Sequence, residues 1–312
     1  MLEAKTFLER TQKENKLCKE YDFSSAGIRQ AISRVIGDDT ILKNIPERVL
    51  KDIPYYEQDA PKCGNTEYLE ERCKLDLFLP AGRENFPVLI WFHGGGLTSG
   101  YKYLPENINV EEIGVAAVEY RLSGDRAECP DYIYDAAAAI AWVVKHIREY
   151  GGDPSMIYVA GCSAGAYLIT MNAMDPKYLA TFGITPHDVK TWFSITGQMT
   201  THFQIIAEYE KKNPDRPKHV MELDEYAPLL AARRDAPELI LYVGDSDRDI
   251  PTRAEENFLM ESTLRRLHGD NKVRCYTFPT CDHQTVTRIS WLLVANRIMQ
   301  DLKARNKAAK KK

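Results

Sequence analysis

The chain has 312 residues, 44% of them hydrophobic, with 41 Lys and Arg against 45 Asp and Glu for a formal net charge of −4. That is length for one α/β domain with insertions and apolar content for a sizeable core, which excludes global disorder. The slight acidity argues against nucleic acid or an anionic membrane as a general partner, and no apolar run approaches the roughly 20 residues of a membrane span.

Residues 1–50 are polar and helix-prone, and are read as a helical N-terminal arm, a candidate partial cap. Residues 51–312 form the main domain. Segments 52–57 and 73–79 are predicted to pair as an antiparallel hairpin. Pro87-Val88-Leu89-Ile90-Trp91-Phe92 is a short apolar run rich in β-formers, hence a buried strand, and it leads into His93-Gly94-Gly95-Gly96. Residues 131–150 carry a helical stripe of Ile133, Ala137, Ile140, Val144 and Ile147, with basic residues in the last turns and Gly151 as the stop. His146 in that helix end is read as structural. Ile157-Tyr158-Val159-Ala160 is another strand and 164–171 a helix, joined by Gly161-Cys162-Ser163-Ala164-Gly165. Residues 198–230 are rich in aromatics and charge, and form the candidate lid or substrate wall. A strand at 239–243 precedes the acidic loop 244–251. Thr252-Arg253-Ala254-Glu255 reads as a capping box ahead of a helix through 267. A strand at 273–278, then His283 and a terminal helix with a solvated basic tail, complete the chain. Strands alternating with helices imply a mostly parallel central sheet with right-handed crossovers and helices on both faces.

Two of these junctions carry chemistry. A serine at a tight strand-to-helix turn is pushed out of the backbone, and its neighbours must be small because the turn is crowded. Ser163 holds that position, and the N–H of Ala164 opens the following helix, where it can face a developing negative charge. Three consecutive glycines, Gly94 to Gly96, cost backbone entropy, so bare N–H groups at Gly95 and Gly96 are candidates to face the same oxyanion. A phosphate loop would require Gly-x-x-x-x-Gly-Lys-Ser/Thr or Gly-x-Gly-x-x-Gly, and neither occurs. His93 starts the glycine loop and is expected to anchor it through a backbone hydrogen bond, not to act as a base.

A serine needs a base, and in this strand–turn–helix setting the order is serine, acid, histidine. Of the histidines after Ser163, His187, His202 and His219 precede the 239–243 strand and come too early. His268, followed by Gly269, reads as a helix end. His283, on the loop after the last strand, remains. The acid stays open on the residues alone: Asp245 is nearest the strand end, Asp247 is mid-loop, and Asp249 is close enough to the next helix to serve only its dipole. Cys162 is read as a small buried filler beside the serine.

Seven cysteines without a Cys-x-x-Cys argue for free thiols and a reducing compartment, so a cytoplasmic location is expected. Cys63 and Cys73 flank the hairpin and are the pair that could bridge in an exported protein. No signal peptide is visible. No His-Glu-x-x-His or clustered ligand set occurs, so no metal is expected.

Several segments together resemble α/β-hydrolases of the esterase/lipase group, near the hormone-sensitive-lipase-like and acetyl/feruloyl (carbohydrate) esterase-like branches. They are His93-Gly94-Gly95-Gly96, Glu119-Tyr120-Arg121-Leu122, residues 130–165, Asp224-Glu225-Tyr226-Ala227-Pro228-Leu229, Gly244-x-x-Asp247-x-x-Ile250-Pro251 and Asp282-His283. The resemblance covers about residues 50–300. It implies the α/β-hydrolase fold and cofactor-free serine hydrolysis of a small-molecule or saccharide ester. The family pattern Gly-x-x-Asp-x-x-Val-Pro implies Asp247 as the acid beside Ser163 and His283. Leu97 departs from the large aromatic that many relatives carry after the glycines, and 196–200 departs as well. Both bear on specificity, so Leu97, with Cys162, is expected on the substrate side. A small-amide hydrolase of arylformamidase type is the alternative chemistry. A non-catalytic binding member of the fold is the alternative class, and a complete set of Ser163, acid and His283 argues against it.

Overall fold

The computed structural model describes residues 48–106, 108, 111–217, 221–268 and 272–310. The expected arm therefore lies, but for its last three residues, outside the described residues. Eight strands form one sheet: β1 (Arg48–Pro54), β2 (Lys74–Leu79), β3 (Phe86–Phe92), β4 (Gly114–Val118), β5 (Gly152–Cys162), β6 (Thr191–Ile195), β7 (Leu239–Val243) and β8 (Val273–Thr277). Their spatial order is β1-β2-β4-β3-β5-β6-β7-β8. β2 runs antiparallel to both β1 and β4, and every later pairing is parallel. The mostly parallel sheet is as expected.

The helices are α1 (Thr66–Arg72), α2 (Asp131–His146), α3 (Ala164–Met174), α4 (Lys177–Ala180), α5 (Phe203–Lys212), α6 (Arg253–His268) and α7 (His283–Ala309). Burial on both faces explains why β3 reads as an unbroken apolar run. Val88, Ile90 and Phe92 pack into one core with residues of α2 and α3, including Ile140 and Leu168. Leu89 and Trp91 point the other way, into a second core with Val286, Leu292 and Ile298 of α7. The predicted 131–150 helix is observed as α2 followed by a 3-10 turn at Ile147–Tyr150. Gly151, at φ 95, ends it in the left-handed region. His146 bridges Glu57 and Glu149, which agrees with a structural role.

Two expectations need correction here. The β1–β2 pair is no tight hairpin: β1 starts at Arg48 and stops at Pro54, and α1 lies in the connection. A register shift between Leu50 and Ile53, with Asp52 at φ 56, breaks the alternation, and Tyr55 turns inward so that its hydroxyl donates to the Glu119 carbonyl. Thr252 sits before α6, but its hydroxyl meets Glu256 and not Glu255. Cys63 and Cys73 are both free thiols. Cys63 instead faces the buried Arg121, whose guanidinium grips Asp135 with two nitrogens at 2.9 and 2.7 Å and ties the strand end after β4 to α2.

Candidate active site

Parallel strands deliver their carboxyl ends to one edge of the sheet, and the crevice there is where open α/β sheets bind ligands. Phe92 of β3 is level with Gly161 of β5, and Cys162 with Ile195 of β6. His93, Ser163, the loop after β7 and His283 all follow strand ends on that edge.

Ser163 occupies the turn between β5 and α3 at φ 51 and ψ −115, a conformation that costs a non-glycine residue energy. Its N–H donates to the Ile195 carbonyl at 2.8 Å, and its carbonyl accepts the first helical bond from Tyr167. The close approaches explain the small neighbours. A Cβ on Gly161 would lie 2.5 Å from the Gly165 carbonyl carbon, and one on Gly165 would lie 2.4 Å from the Phe92 oxygen. Ala164 is fully buried as the first residue of α3.

The glycine loop curls beside this turn. A Cβ on Gly94 would stand 3.2 Å from the Ser163 Cβ. Gly95 has φ 112 and Gly96 φ 63. The Gly95 carbonyl accepts from the N–H groups of Thr98 and Ser99 at 3.1 and 3.0 Å. A trans peptide sets the next N–H opposite its carbonyl, so the Gly96 N–H points away from that turn. His93 is buried, with Nδ1 2.7 Å from the Gly94 carbonyl, and its ring stacks on Tyr120 at 4.3 Å. The Tyr120 hydroxyl returns a hydrogen bond to the His93 carbonyl. The loop is thus anchored as expected.

His283 is the first residue of α7, capped by Asp282, whose carboxylate accepts from the Thr285 N–H. Its Nδ1 lies 2.7 Å from Oδ1 of Asp249. The Asp249 carboxylate is fully buried and also accepts N–H bonds from Gly244 and Ile250. Burial pushes its pKa up, but the hydrogen bond and charge of His283 and the two backbone donors outweigh that and hold it below the ordinary value. An ionised carboxylate only accepts, so Nδ1 carries a proton, and in the neutral imidazole Nε2 is then the acceptor.

This geometry corrects the expectation for Asp247. Residues 245–249 form a helical turn in which the Asp249 N–H bonds back to the Asp245 carbonyl at 2.8 Å. The turn returns Asp249 under the end of β7 and leaves Asp247 exposed on its outer side, its N–H donating to Asp245 Oδ1. Asp245 is a staple: it accepts from the Thr280 N–H at 2.8 Å, joining the loop to the one that precedes His283. Counting from Gly244 finds the loop but not the register of its curl.

Ser163, His283, Gly94, Gly95, Gly96 and Cys162 line one cavity of about 570 Å³. Burial pushes the Cys162 thiol up to about 11, so it is an inert lining group. Leu97 is a second correction. At φ 65 it turns inward and is fully buried in the core, away from the cavity wall. Phe203, at the start of α5 in the 198–230 insertion, stands against Gly96 and supplies the aromatic surface there. Tyr101, Tyr103, Trp291 and Arg288 also line the cavity and were not anticipated. For α7 a signal existed: His283, Thr287 and Trp291 are spaced i, i+4, i+8, one helix face once the helix starts at His283. Among the described residues no group of three or more His, Cys, Asp or Glu is placed to hold a metal, and no helix is long and apolar enough to cross a membrane.

The strand order and the serine turn are those of the α/β-hydrolase fold. Residues 75–208 match the family model BD-FAE. The isoprenylcysteine alpha-carbonyl methylesterase ICME of Arabidopsis thaliana is 28% identical over 217 residues, 61% of this chain and 49% of that protein. Cocaine esterase of Oryctolagus cuniculus is 30% identical over 157 residues, 45% of this chain and 30% of that protein. The chain spans about half the length of the curated relatives it matches. A hyperthermophilic esterase from Pyrobaculum calidifontis shares the fold at a TM-score of 0.59 and 18% identity, over 88% of this chain and 92% of its own.

Proposed function

We propose that the chain hydrolyses carboxylic esters of small acyl groups through an acyl-enzyme on Ser163. The observation that carries this reading is the 2.7 Å pair of His283 and buried Asp249, opening on the cavity that Ser163 and the glycine loop also line. The Ser163 Oγ bonds to the ester carbonyl carbon while His283 Nε2 takes the hydroxyl proton. Asp249 holds the imidazole tautomer and stabilises its cation. The N–H groups of Gly95, Gly96 and Ala164 face the tetrahedral oxyanion, each worth roughly 3 to 4 kcal/mol in such sites. The bond to the alcohol oxygen then breaks, and His283 returns the proton to it. Water attacks the acyl carbon as His283 takes one of its protons. The Ser163 ester bond breaks, the proton passes back to Oγ, and the carboxylic acid leaves. The relatives named as esterases support the reading.

Ser163→Ala is expected to lower kcat on p-nitrophenyl acetate by on the order of 10³ to 10⁶ with the fold intact by circular dichroism. An organophosphonate should label Ser163 and nothing else. Label elsewhere, or activity kept in the variant, defeats the proposal. In a cavity of this size p-nitrophenyl acetate should have a higher kcat/KM than the palmitate, and the reverse order would refute the small-acyl part.

A further inference from the structure

Five residues of α7 line the cavity: His283, Gln284, Thr287, Arg288 and Trp291. They form a single helical stripe, so Arg288 belongs to the wall and does not merely reach it from another face. Of the cavity-lining side chains it is the one that is cationic irrespective of pH. Most arginines of the described residues are held by carboxylates, including Arg72, Arg121, Arg126, Arg216, Arg297 and Arg305. Arg288 has no ion pair or side-chain hydrogen bond among the described residues, and it is exposed to the cavity. A guanidinium left open in the wall of the cavity that Ser163 also lines presents a planar fork suited to a carboxylate.

From the site read above as that of an ester hydrolase, we infer that Arg288 determines specificity by binding a carboxylate on the leaving-group side of the substrate. The side follows from the helix. His283 delivers the proton to the departing alcohol oxygen, so the group attached to that oxygen lies by the start of α7, along the stripe that leads to Arg288. Five residues of helix advance about 7.5 Å, which places the anion several bonds beyond the scissile ester. Glu106 is the carboxylate among the cavity-lining residues. It repels an anion and leaves Arg288 as the group that receives one.

The test compares 4-acetoxybenzoate with 4-acetoxybenzamide, two acetyl esters that differ in charge at the far end of the leaving group. The native enzyme is expected to favour the anion in kcat/KM. Arg288→Gln should cut the anion-to-amide ratio by about tenfold, the scale of one charged hydrogen bond, with the loss falling mainly on the anion, and Arg288→Lys should restore part of it. In Ser163→Ala, calorimetry should show the anion binding more tightly than the amide, and that contrast should vanish on adding Arg288→Gln. A ratio indifferent to Arg288, or equal loss on both esters, overturns the inference while the esterase reading stands. Absence of Ser163-dependent turnover on either ester defeats the esterase reading, and the binding contrast then still decides the role of Arg288.

Discussion

His283 reaches one carboxylate of the three on the loop after β7, and the others have separate work. Asp249 is buried against the imidazole, Asp245 staples two loops, and Asp247 is exposed. An Asn at 249 keeps the shape but loses the charge that fixes the tautomer, so Asp249→Asn should lower kcat roughly 10⁴-fold. Asp247→Asn should leave kcat within about twofold, as for a surface change. Asp245→Asn should fall between, through a loosened loop. Measuring kcat beside Tm for the three variants separates a chemical loss from a structural one. A dead Asp247→Asn with a normal Asp249→Asn would reverse the assignment. That Ser163 and His283 would meet at one cavity was legible because their setting is a covalent sequence of strand, residue and helix. The carboxylate that pairs with His283 was not, because its identity depends on the curl of five residues, set by hydrogen bonds that the spacing of Gly244 and Pro251 does not encode. Leu97 misled for a similar reason: its positive φ, not its place after the glycines, sends the side chain inward.

At the scale of elements, β5, its turn and α3 form the rigid mount of the site, and the mount depends on absent side chains. Gly165 lies where a Cβ would meet both the Phe92 and His93 carbonyls, at 2.4 and 2.5 Å. These are backbone atoms of β3 and of the glycine loop, so relief requires moving one element off the other. Gly165→Ala is therefore expected to destabilise the fold by about 1 to 3 kcal/mol, the range for overpacking, and to cost activity by shifting the glycine loop from Ser163. Urea unfolding together with kcat measures both. Full stability in Gly165→Ala would mean that the two elements are not in the contact described. The sheet was readable in the sequence from its apolar runs, and α2 from its 3.6-residue stripe. The cavity walls were less so: α5 and the front of α7 present polar residues mixed with aromatics, a pattern that signals a solvated surface as readily as a pocket. The antiparallel β1–β2 pairing was as expected, but the bounds of β1 were not, because a bulge at Asp52 interrupts the two-residue period on which they rest.

For the whole molecule, the site ties folding to pH. Asp249 accepts bonds from His283, Ile250 and Gly244, and so links the ends of β7 and α7. Burial opposes its ionisation, yet these partners hold its pKa below the ordinary value. Asp245 is lowered by the backbone N–H groups of Thr280 and Asp247, and Asp282 by that of Thr285 at the start of α7. All three carboxylates act on the one seam that closes the sheet edge. A carboxyl whose pKa is lower folded than unfolded binds more protons in the unfolded chain, so stability rises with pH across the interval between the two values. The contribution is complete above the unfolded pKa of about 3.9 and is lost as pH falls toward the folded one. Tm of the native protein should thus be level near neutrality and drop as pH goes from about 5 down to 2. Asp249→Asn should start from a lower Tm at neutral pH, since the buried amide is a poorer partner for the imidazole, and should lose less on acidification because one linked proton is gone. Calorimetric Tm values of both proteins at matched ionic strength, over that range, decide it. Parallel curves would show that Asp249 titrates alike in the folded and unfolded states and that the charge on the buried pair is not what holds the seam.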